Sequence, residues 1–252
     1  MEKLDHLVDY INRTLDAGSI EDYCPNGLQV EGRSDVAHLV SGVTASLAFL
    51  ELAIEAGADA VLVHHGYFWR GEPQPLIGMK HARVKRLIDA NVSLLAYHLP
   101  LDIHRTFGNN AQLARRLGWQ IDGQHAAGGT DGLFFHGHLP QAQTGQAFAD
   151  HLTTVLGRTA TLVGNPDKTI SRIGWCSGGA QHMVLQAASL GLDAFVSGEI
   201  SEQTTHEARE NGLVYVAAGH HATERYGVQS LGEHLSEQLQ LTHQFIDVDN
   251  PA

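Results

Sequence analysis

The sequence predicts an α/β protein built from two related units, each with a mixed or parallel sheet flanked by helices. Two observations predict this class. A strand–helix–strand pattern occurs twice along the chain, and its strands are short apolar runs without alternation, such as AVLV and AFVS. Such runs are typical of strands that helices cover on both faces. We therefore expect a buried sheet in each unit.

The repeat relates the stretch HLVSGVTASLAFLELAIEAGADAVLVHHG to the later stretch RIGWCSGGAQHMVLQAASLGLDAFVSGEI without a gap. In this alignment Ala53 meets Ala187, and Asp59 meets Asp193. Each copy is predicted to be a βαβ unit, because an apolar strand is followed by a helical pattern, a glycine and a second apolar strand. A further apolar strand follows each copy, in NVSLLAYHLPLD and in NGLVYVAAGHHATE, although the spacing changes there.

The remaining segments complete the two units. GLFFHGHLP predicts a strand, TGQAFADHLTTVLG a helix, and TATLVGNPDKTISRIGW a strand, a turn and a strand. VQSLGEHLSEQL and LTHQFIDV predict a closing helix and strand. The glycine-rich string DGQHAAGGTDG is the only signal of a boundary. We predict a first α/β unit over residues 1–125, completed by residues 225–252, and a second unit over residues 126–224.

The composition of the 252-residue chain excludes several classes of protein. A hydrophobic fraction of 43% excludes disorder, and two distant cysteines exclude a disulfide scaffold and favour a reducing compartment. The start of the chain lacks the pattern of a secretory signal, and no apolar run is long enough to span a membrane. A net charge of −12 opposes an extended nucleic-acid surface. We therefore predict a cytoplasmic protein without a membrane partner.

Histidine is unusually frequent, because 17 histidines outnumber the 16 lysines and arginines together. Imidazole and carboxylate groups without thiolates suit Zn, Mn, Fe, Co or Ni ions in a chemical site better than structural zinc. In α/β sheets, ligands gather beyond the carboxyl ends of the strands. The positions of the histidines relative to the predicted strands therefore carry the interpretation.

Three groups of polar residues follow predicted strands: His64 with His65, His98 with Asp102, and His220 with Glu224. Any one of them is more easily explained as surface residues. Pro100 predicts that His98 and Asp102 lie in a loop, whereas the second pair fits the first turn of a helix. Three such groups, two of them at matching places of the repeat, indicate a metal site.

The number of donors favours two ions. His64, His65, Asp102, His220 and Glu224 exceed the needs of one zinc ion, whereas two neighbouring ions with a shared carboxylate would use them all. His98 is either a sixth ligand or a group that orients Asp102 or a water molecule. Glu199 stands where the first copy has His65, and it is either a proton-transfer group or a solvated carboxylate. His98 and Glu199 are the candidate catalytic residues.

Several strings carry a family resemblance over essentially the whole chain: DYCPNGLQVEG, GVTAS, GADAVLVHHGYFW, HLPLD, GNNAQLA, SGEISEQT, AAGHHATER and DVDNPA. They resemble the dinuclear-metal-centre family known as GTP cyclohydrolase I type 2 homologues, which is related to the NGG-interacting-factor proteins. The resemblance implies a homohexameric ring of dimers and a dinuclear site between the two units of each protomer. It implies two divalent cations per protomer, held by residues that match His64, His65, Asp102, His220 and Glu224.

The resemblance also implies a function: a metal-dependent hydrolase that acts on a purine nucleotide or a related small molecule through a metal-bound hydroxide. Two alternatives stay open at this point. The same ligands suit phosphoester or amide hydrolysis, and they also suit a metal-binding oligomeric scaffold or interaction protein without turnover. The identity of the metal is open among Zn, Mn, Fe, Co and Ni.

Overall fold

The computed structural model describes all residues, Met1–Ala252. The chain divides into two compact units, the first made of Met1–Gly108 and Gly227–Asp249, the second of Asn109–Tyr226 and Asn250–Ala252. No helix combines the length and the apolar character that crossing a membrane requires.

The first part of the first unit contains six strands and four helices. In chain order these are β1 (Glu2–Lys3), α1 (Leu4–Thr14), β2 (Gly27–Val30), β3 (Asp35–Val36), β4 (His38–Thr44), α2 (Leu47–Glu55), β5 (Ala60–His65), α3 (Gly78–Ala90), β6 (Ser93–Ala96) and α4 (Leu99–Ile103). A short 3-10 helix, Ala17–Ser19, follows α1.

The second unit contains six strands and most of the remaining helices. In chain order these are α5 (Asn109–Leu117), β7 (Gln120–Ala127), β8 (Thr130–Thr144), α6 (Gly145–Leu156), β9 (Thr161–Val163), β10 (Thr169–Trp175), α7 (Val184–Ser189), β11 (Ala194–Ser197), α8 (Glu202–Glu210), β12 (Val214–Ala217) and α9 (His220–Leu239). A 3-10 helix, Gln181–Met183, precedes α7. The later turns of α9 and strand β13 (Thr242–Phe245) belong to the first unit.

The main sheet of the first unit has the order β13-β4-β5-β6-β2. Strands β13, β4, β5 and β6 are parallel, and β2 pairs antiparallel with β6. Strands β1 and β3 form a separate antiparallel pair. Both faces of the main sheet are covered by apolar cores, one around Leu7 and Leu62 and the other around Phe49 and Val63. This burial explains why the strands are apolar without alternation.

The sheet of the second unit has the order β7-β8-β10-β11-β12-β9. Its central strands β10, β11 and β12 are parallel, while β7, β8 and β9 join by antiparallel pairing. Trp175 and Phe148 lie in the core on one side of it. The predicted class of a mixed α/β protein with sheets flanked by helices is confirmed.

The predicted boundary at residue 125 lies further along the chain than the division seen in the structure, which falls after Gly108. The physical reason is the packing of the segment that follows. Leu113 on α5 and Trp119 ahead of β7 are buried in the same core as Phe148 and Trp175. Apolar packing with the second unit, rather than the glycine-rich string, decides where this segment belongs.

Candidate metal centre

The carboxyl end of β5 presents His64 and His65. Successive strand residues normally point to opposite faces, but here the two rings lie 4.6 Å apart, centroid to centroid. The chain turns immediately at Gly66, where a Cβ atom would come within 2.6 Å of the Cβ atom of Ala96. Both imidazoles are therefore available at one place because the strand ends there.

His64 is fully buried, and its ring is oriented by the main chain of the next strand. Its Nδ1 lies 3.0 Å from the carbonyl oxygen of Tyr97, which can only accept a hydrogen bond. Nδ1 therefore donates, and Nε2 carries the lone pair in the neutral ring. This Nε2 lies 3.6 Å from Oδ1 of Asp102, whose side chain is also buried. His64 and Asp102 thus form an imidazole–carboxylate pair.

Asp102 lies on a short helix rather than in the predicted loop. Helix α4 covers Leu99–Ile103, and Pro100 occupies its first turn. The prediction from Pro100 was wrong because the first turn of a helix needs no backbone donor at that position. The helix presents the buried carboxylate of Asp102, while His98 stands directly before it.

His65 and His98 complete the histidine group of the first unit. Nδ1 of His65 lies 3.2 Å from the hydroxyl of Thr44, at the end of the neighbouring strand β4. One ring nitrogen from each of His64, His65 and His98 lies within 4.8 Å of the other two. Three imidazoles so close together form a candidate divalent-cation site.

Only Nε2 of His98 is available to that group, because Nδ1 lies 2.9 Å from Oδ1 of Asp22. Burial opposes ionisation of Asp22. Hydrogen bonds with His98, with the side chain of Asn26 and with the backbone N–H of Leu99 outweigh this effect and lower the pKa of Asp22 to about 2. Asp22 is therefore an anion, although its side chain is only 2% exposed.

In the second unit, His220 and Glu224 lie on the first turn of α9, as the spacing predicted. Nε2 of His220 lies 3.2 Å from Oε2 of Glu224, whose side chain is buried. Gly178 lies against this pair, because a Cβ atom there would approach Oε1 of Glu224 to 2.1 Å. The second unit therefore holds its own imidazole–carboxylate pair, packed against a glycine.

Glu199 follows β11 and contacts the other side of the His220 ring. Its Oε1 lies 2.7 Å from Nδ1 of His220. Burial lowers the pKa of His220, but the carboxylates of Glu224 and Glu199 outweigh burial and raise it to about 9. The hydroxyl of Tyr215 donates to the backbone carbonyl of Glu199 and so fixes its main chain. In this structure Glu199 orients an imidazole, a role that the sequence interpretation did not consider.

The donors fit divalent cations of the predicted kind. In each unit a histidine nitrogen and a carboxylate oxygen lie 3.2–3.6 Å apart, a separation that allows both to bind one ion at about 2.0–2.2 Å. Each of the four candidate histidines has Nδ1 engaged by an oxygen atom, which is the arrangement that orients metal-ligating imidazoles. Both cysteines are buried, and burial raises the pKa of the Cys24 thiol to about 12. Sγ of Cys24 nevertheless lies within 4.8 Å of donor atoms of Asp22 and His98, so these three residues form a further candidate group.

The structure thus brings His64, His65, His98 and Asp102 together in the first unit, and Glu199, His220 and Glu224 together in the second. Sequence reasoning missed Asp22 as a partner of His98. The signal for it was the string DYCPNGLQVEG, which carries part of the family resemblance.

Comparison with known proteins identifies the family of this chain. The profile of the Duf34/NIF3 (NGG1p interacting factor 3) family matches residues 2–251. A protein of Pseudomonas aeruginosa named GTP cyclohydrolase 1 type 2 homolog is 53% identical over 249 residues, which are 99% of this chain and 98% of that protein. A protein of the same name from Allochromatium vinosum is 54% identical over 252 residues, covering 100% of this chain and 98% of its own.

Two solved structures share the fold over the full length of both chains. The structural-genomics structure of the protein ybgI, described as of unknown function, has a TM-score of 0.96 and 47% identity. The crystal structure of TTHA1606 from Thermus thermophilus has a TM-score of 0.89 and 33% identity. The family predicted from the sequence motifs is confirmed, and the chain belongs to the Duf34/NIF3 family.

Proposed function

We propose that the protein is a hydrolase that depends on two divalent cations, drawn from Zn, Mn, Fe, Co and Ni. His64, His65, Asp102, His220 and Glu224 are the proposed ligands. One observation supports this more than any other: the same arrangement occurs in both units. His64 and His220 each have Nδ1 held by an oxygen atom and Nε2 close to a buried carboxylate. Such pairs are expensive to bury unless a charge compensates them, and a cation does so.

The proposed substrate is a purine nucleotide or a related small molecule. The support for this class is the name of the relatives, GTP cyclohydrolase 1 type 2 homolog, together with identities near 50% over the whole chain. The net charge of −12 means that a phosphorylated substrate would depend on bound cations for attraction. Phosphoesters and amides are included among the test substrates, because the same metal ligands suit their hydrolysis.

When bound, a pair of cations would lower the pKa of water toward neutrality and polarise the electrophilic atom of the substrate. The chain's own residues supply the rest. Asp102 and Glu224 place buried carboxyl groups beside His64 and His220, and Glu199 orients His220. His98 has one nitrogen in the histidine group and is the proposed proton-transfer residue.

The family resemblance further supports a homohexamer, arranged as a ring of dimers. We include this assembly in the proposal. Light scattering at micromolar protein concentration measures it directly, with six chains per particle as the expected mass and a monomer as the contrary result.

The test of function is cation-dependent hydrolysis. The protein is stripped of metal, reconstituted with each of the five cations, and assayed against nucleoside triphosphates, phosphoesters and peptides. His64→Ala and Glu224→Ala are expected to lose bound metal and activity together. The matched controls are His81→Ala on α3 and His206→Ala on α8, two histidines away from the donors, which should retain both.

Three outcomes decide the proposal. Turnover that requires the cation and is lost in both donor variants supports it. Full activity of a metal-free variant contradicts the mechanism. Metal binding with no turnover on any substrate contradicts the hydrolase and favours the scaffold.

A further inference from the structure

The turn that carries His98 is held by one short segment, Asp22–Asn26, from the region between α1 and β2. The two carboxylate oxygens of Asp22 have different hydrogen-bond partners. Oδ1 lies 2.9 Å from Nδ1 of His98, while Oδ2 accepts the backbone N–H of Leu99 and the side-chain amide of Asn26, each at 2.9 Å. Asn26 in turn accepts the backbone N–H of His98 at 2.8 Å. The main chain and the side chain of His98 are therefore fixed by the same two residues.

This network determines which nitrogen of His98 carries the proton. Oδ2 of Asp22 accepts two N–H groups, and Oδ1 faces Nδ1 of His98 at 2.9 Å as the remaining acceptor, so Nδ1 donates to Asp22. Nε2 of the neutral ring then carries the lone pair. Two aromatic side chains restrict rotation of the ring, since Trp69 packs edge-to-face at 4.9 Å and Tyr23 lies 5.5 Å away, centroid to centroid. The His98 ring is thus held in one tautomer and in one position beside His64 and His65.

The partner of His98 differs from the partners of the neighbouring histidines. His64 donates to a neutral carbonyl, and His65 lies against a hydroxyl, but His98 lies against a buried anion. A carboxylate at Nδ1 stabilises the positive ring that forms when Nε2 takes up a proton. Burial strengthens this effect, because the side chain of Asp22 is 2% exposed, whereas that of Glu199 beside His220 is 45% exposed.

We propose that Asp22 is a positioning residue that holds His98 as the proton-transfer group of the hydrolysis, an inference that rests on the proposed function. Nε2 of His98 takes a proton from water as the water oxygen forms a bond to the electrophilic atom of the substrate. The ring returns that proton to the leaving atom as the bond between the leaving atom and the electrophilic atom breaks. The Nδ1 proton stays on the ring throughout, and Asp22 stays ionised. His98 is the catalytic residue, and Asp22 acts only through it.

Asp22→Asn is a specific test because neighbouring hydrogen-bond donors fix the orientation of the new side-chain amide. Two donors, the N–H of Leu99 and the amide of Asn26, occupy the Oδ2 position and require an oxygen there. The NH2 group of the new asparagine would then face Nδ1 of His98 and donate to it. Nδ1 becomes an acceptor, the ring proton moves to Nε2, and the lone pair is lost from the site. At a comparable carboxylate–histidine pair this exchange lowers kcat about 10⁴-fold.

The experiment combines nitrogen-15 NMR of the imidazole groups in zinc-reconstituted protein with metal analysis and steady-state kinetics. We expect the Nδ1–H tautomer of His98 in the unmodified protein and the Nε2–H tautomer in Asp22→Asn. We expect kcat to fall by a factor of about 10²–10⁴, with KM and metal content unchanged. The control is Glu21→Gln, which removes a neighbouring charge that is 91% exposed and should change none of these quantities.

A second variant covers the case in which Asp22→Asn does not fold. His98→Gln keeps a polar side chain, and it should retain metal while losing kcat to the same extent. Retention of kcat in either variant overturns the inference, as does an unchanged tautomer in Asp22→Asn. Loss of metal in Asp22→Asn also overturns it, because Asp22 would then support the ligands. If the unmodified protein turns over no substrate, the proposed function fails instead, and the tautomer still reports whether Asp22 orients His98.

Discussion

The two copies of the repeated βαβ segment share the hydrogen bonds that connect the helix end to the sheet, which we call the frame. They differ in the residues at the carboxyl ends of their strands, which we call the ends. In both copies the aspartate before the second strand accepts two consecutive backbone N–H groups in or next to the first strand. Asp59 accepts those of Ala37 and His38 at 2.8 and 2.9 Å, and Asp193 accepts those of Ser171 and Arg172 at 3.0 and 2.8 Å. A positive-φ glycine ends the helix of each copy. The repeat therefore preserves the hydrogen bonds that connect the helix end to the sheet.

The strand ends of the two copies differ in every polar residue that matters for the site. The alignment of the copies places Thr44 opposite Gly178 and His65 opposite Glu199. In the first copy Thr44 contacts Nδ1 of His65. In the second copy Gly178 leaves room for Glu224, and Glu199 orients His220 instead. The same backbone thus holds a histidine group in one unit and a carboxylate-rich group in the other.

The residues that hold the fold are thus distinct from those of the candidate metal centre. The frame is duplicated because hydrogen bonds to the main chain do not depend on function. The strand ends are free to differ because the loops beyond them are not part of the sheet. Substitutions in the frame should therefore change stability, and substitutions at the ends should change cation binding.

The largest effect is expected from Gly178→Ala at the end of the second copy. Its Cβ atom would approach Oε1 of Glu224 to 2.1 Å, so the carboxylate must move away from His220. We expect the affinity for the cation to fall about 100-fold, at the upper end of the range for residues that support metal ligands. Isothermal titration with zinc measures this change.

Gly57→Ala in the first copy is the matched control for that substitution. Gly57 also has a positive φ, of +78°, but a Cβ atom there meets nothing within 4 Å. The variant should lose about 1–2 kcal/mol of unfolding free energy through backbone strain and keep its affinity for zinc. An equal loss of affinity in both glycine variants would contradict the distinction between frame and ends.

A smaller effect is expected from Asp59→Ala in the frame. Removing the carboxylate leaves two backbone donors without their acceptor, and we expect the free energy of unfolding to fall by about 2 kcal/mol. Asp193→Ala should give a similar loss, since Asp193 makes the same two bonds. Urea denaturation measures both, and unchanged zinc affinity in the refolded variants is part of the expectation.

Asp59 also predicts a dependence of stability on pH. Burial opposes its ionisation, but the N–H groups of His38 and Ala37 and the guanidinium of Arg33 outweigh burial and lower its pKa below the ordinary value of 3.8. A lowered pKa in the folded state contributes stability above pH 3.8 that is lost as the pH falls through the folded pKa. Asp59→Asn should therefore show a weaker decline of stability in acid than the unmodified protein. An identical acid decline in both would contradict this account of Asp59.

The comparison also shows what could be predicted from the sequence. The strand ends could be predicted because apolar runs stop at polar residues, as at His64 and His65. The helix that begins at His220 could be predicted because no proline interrupts it. The helix that presents Asp102 was missed, because Pro100 favours a loop unless it falls in the first turn. The place of Trp119 in the second core was missed, because a composition signal does not report packing.

The orienting contacts were harder to predict than the donors. Asp22 lies far along the chain from His98, and its string DYCPNGLQVEG carries a family resemblance but does not identify His98 as its partner. Glu199 was found by its place in the repeat, but its contact with His220 depends on the fold. Distances of this kind arise from the sheet order, which brings together residues from segments that are separate in the sequence.

The central claim is that the paired donors, His64 with Asp102 in the first unit and His220 with Glu224 in the second, bind divalent cations. The most direct measurement is anomalous X-ray scattering at the zinc edge from zinc-loaded crystals, with metal analysis of the same sample. We expect an anomalous peak in contact with Nε2 of His64 and one in contact with Nε2 of His220. The peak at His64 should weaken in His64→Ala, and the peak at His220 should weaken in Glu224→Ala. The absence of a peak at either histidine, or a peak that is unchanged when its own donor is substituted, would contradict the claim.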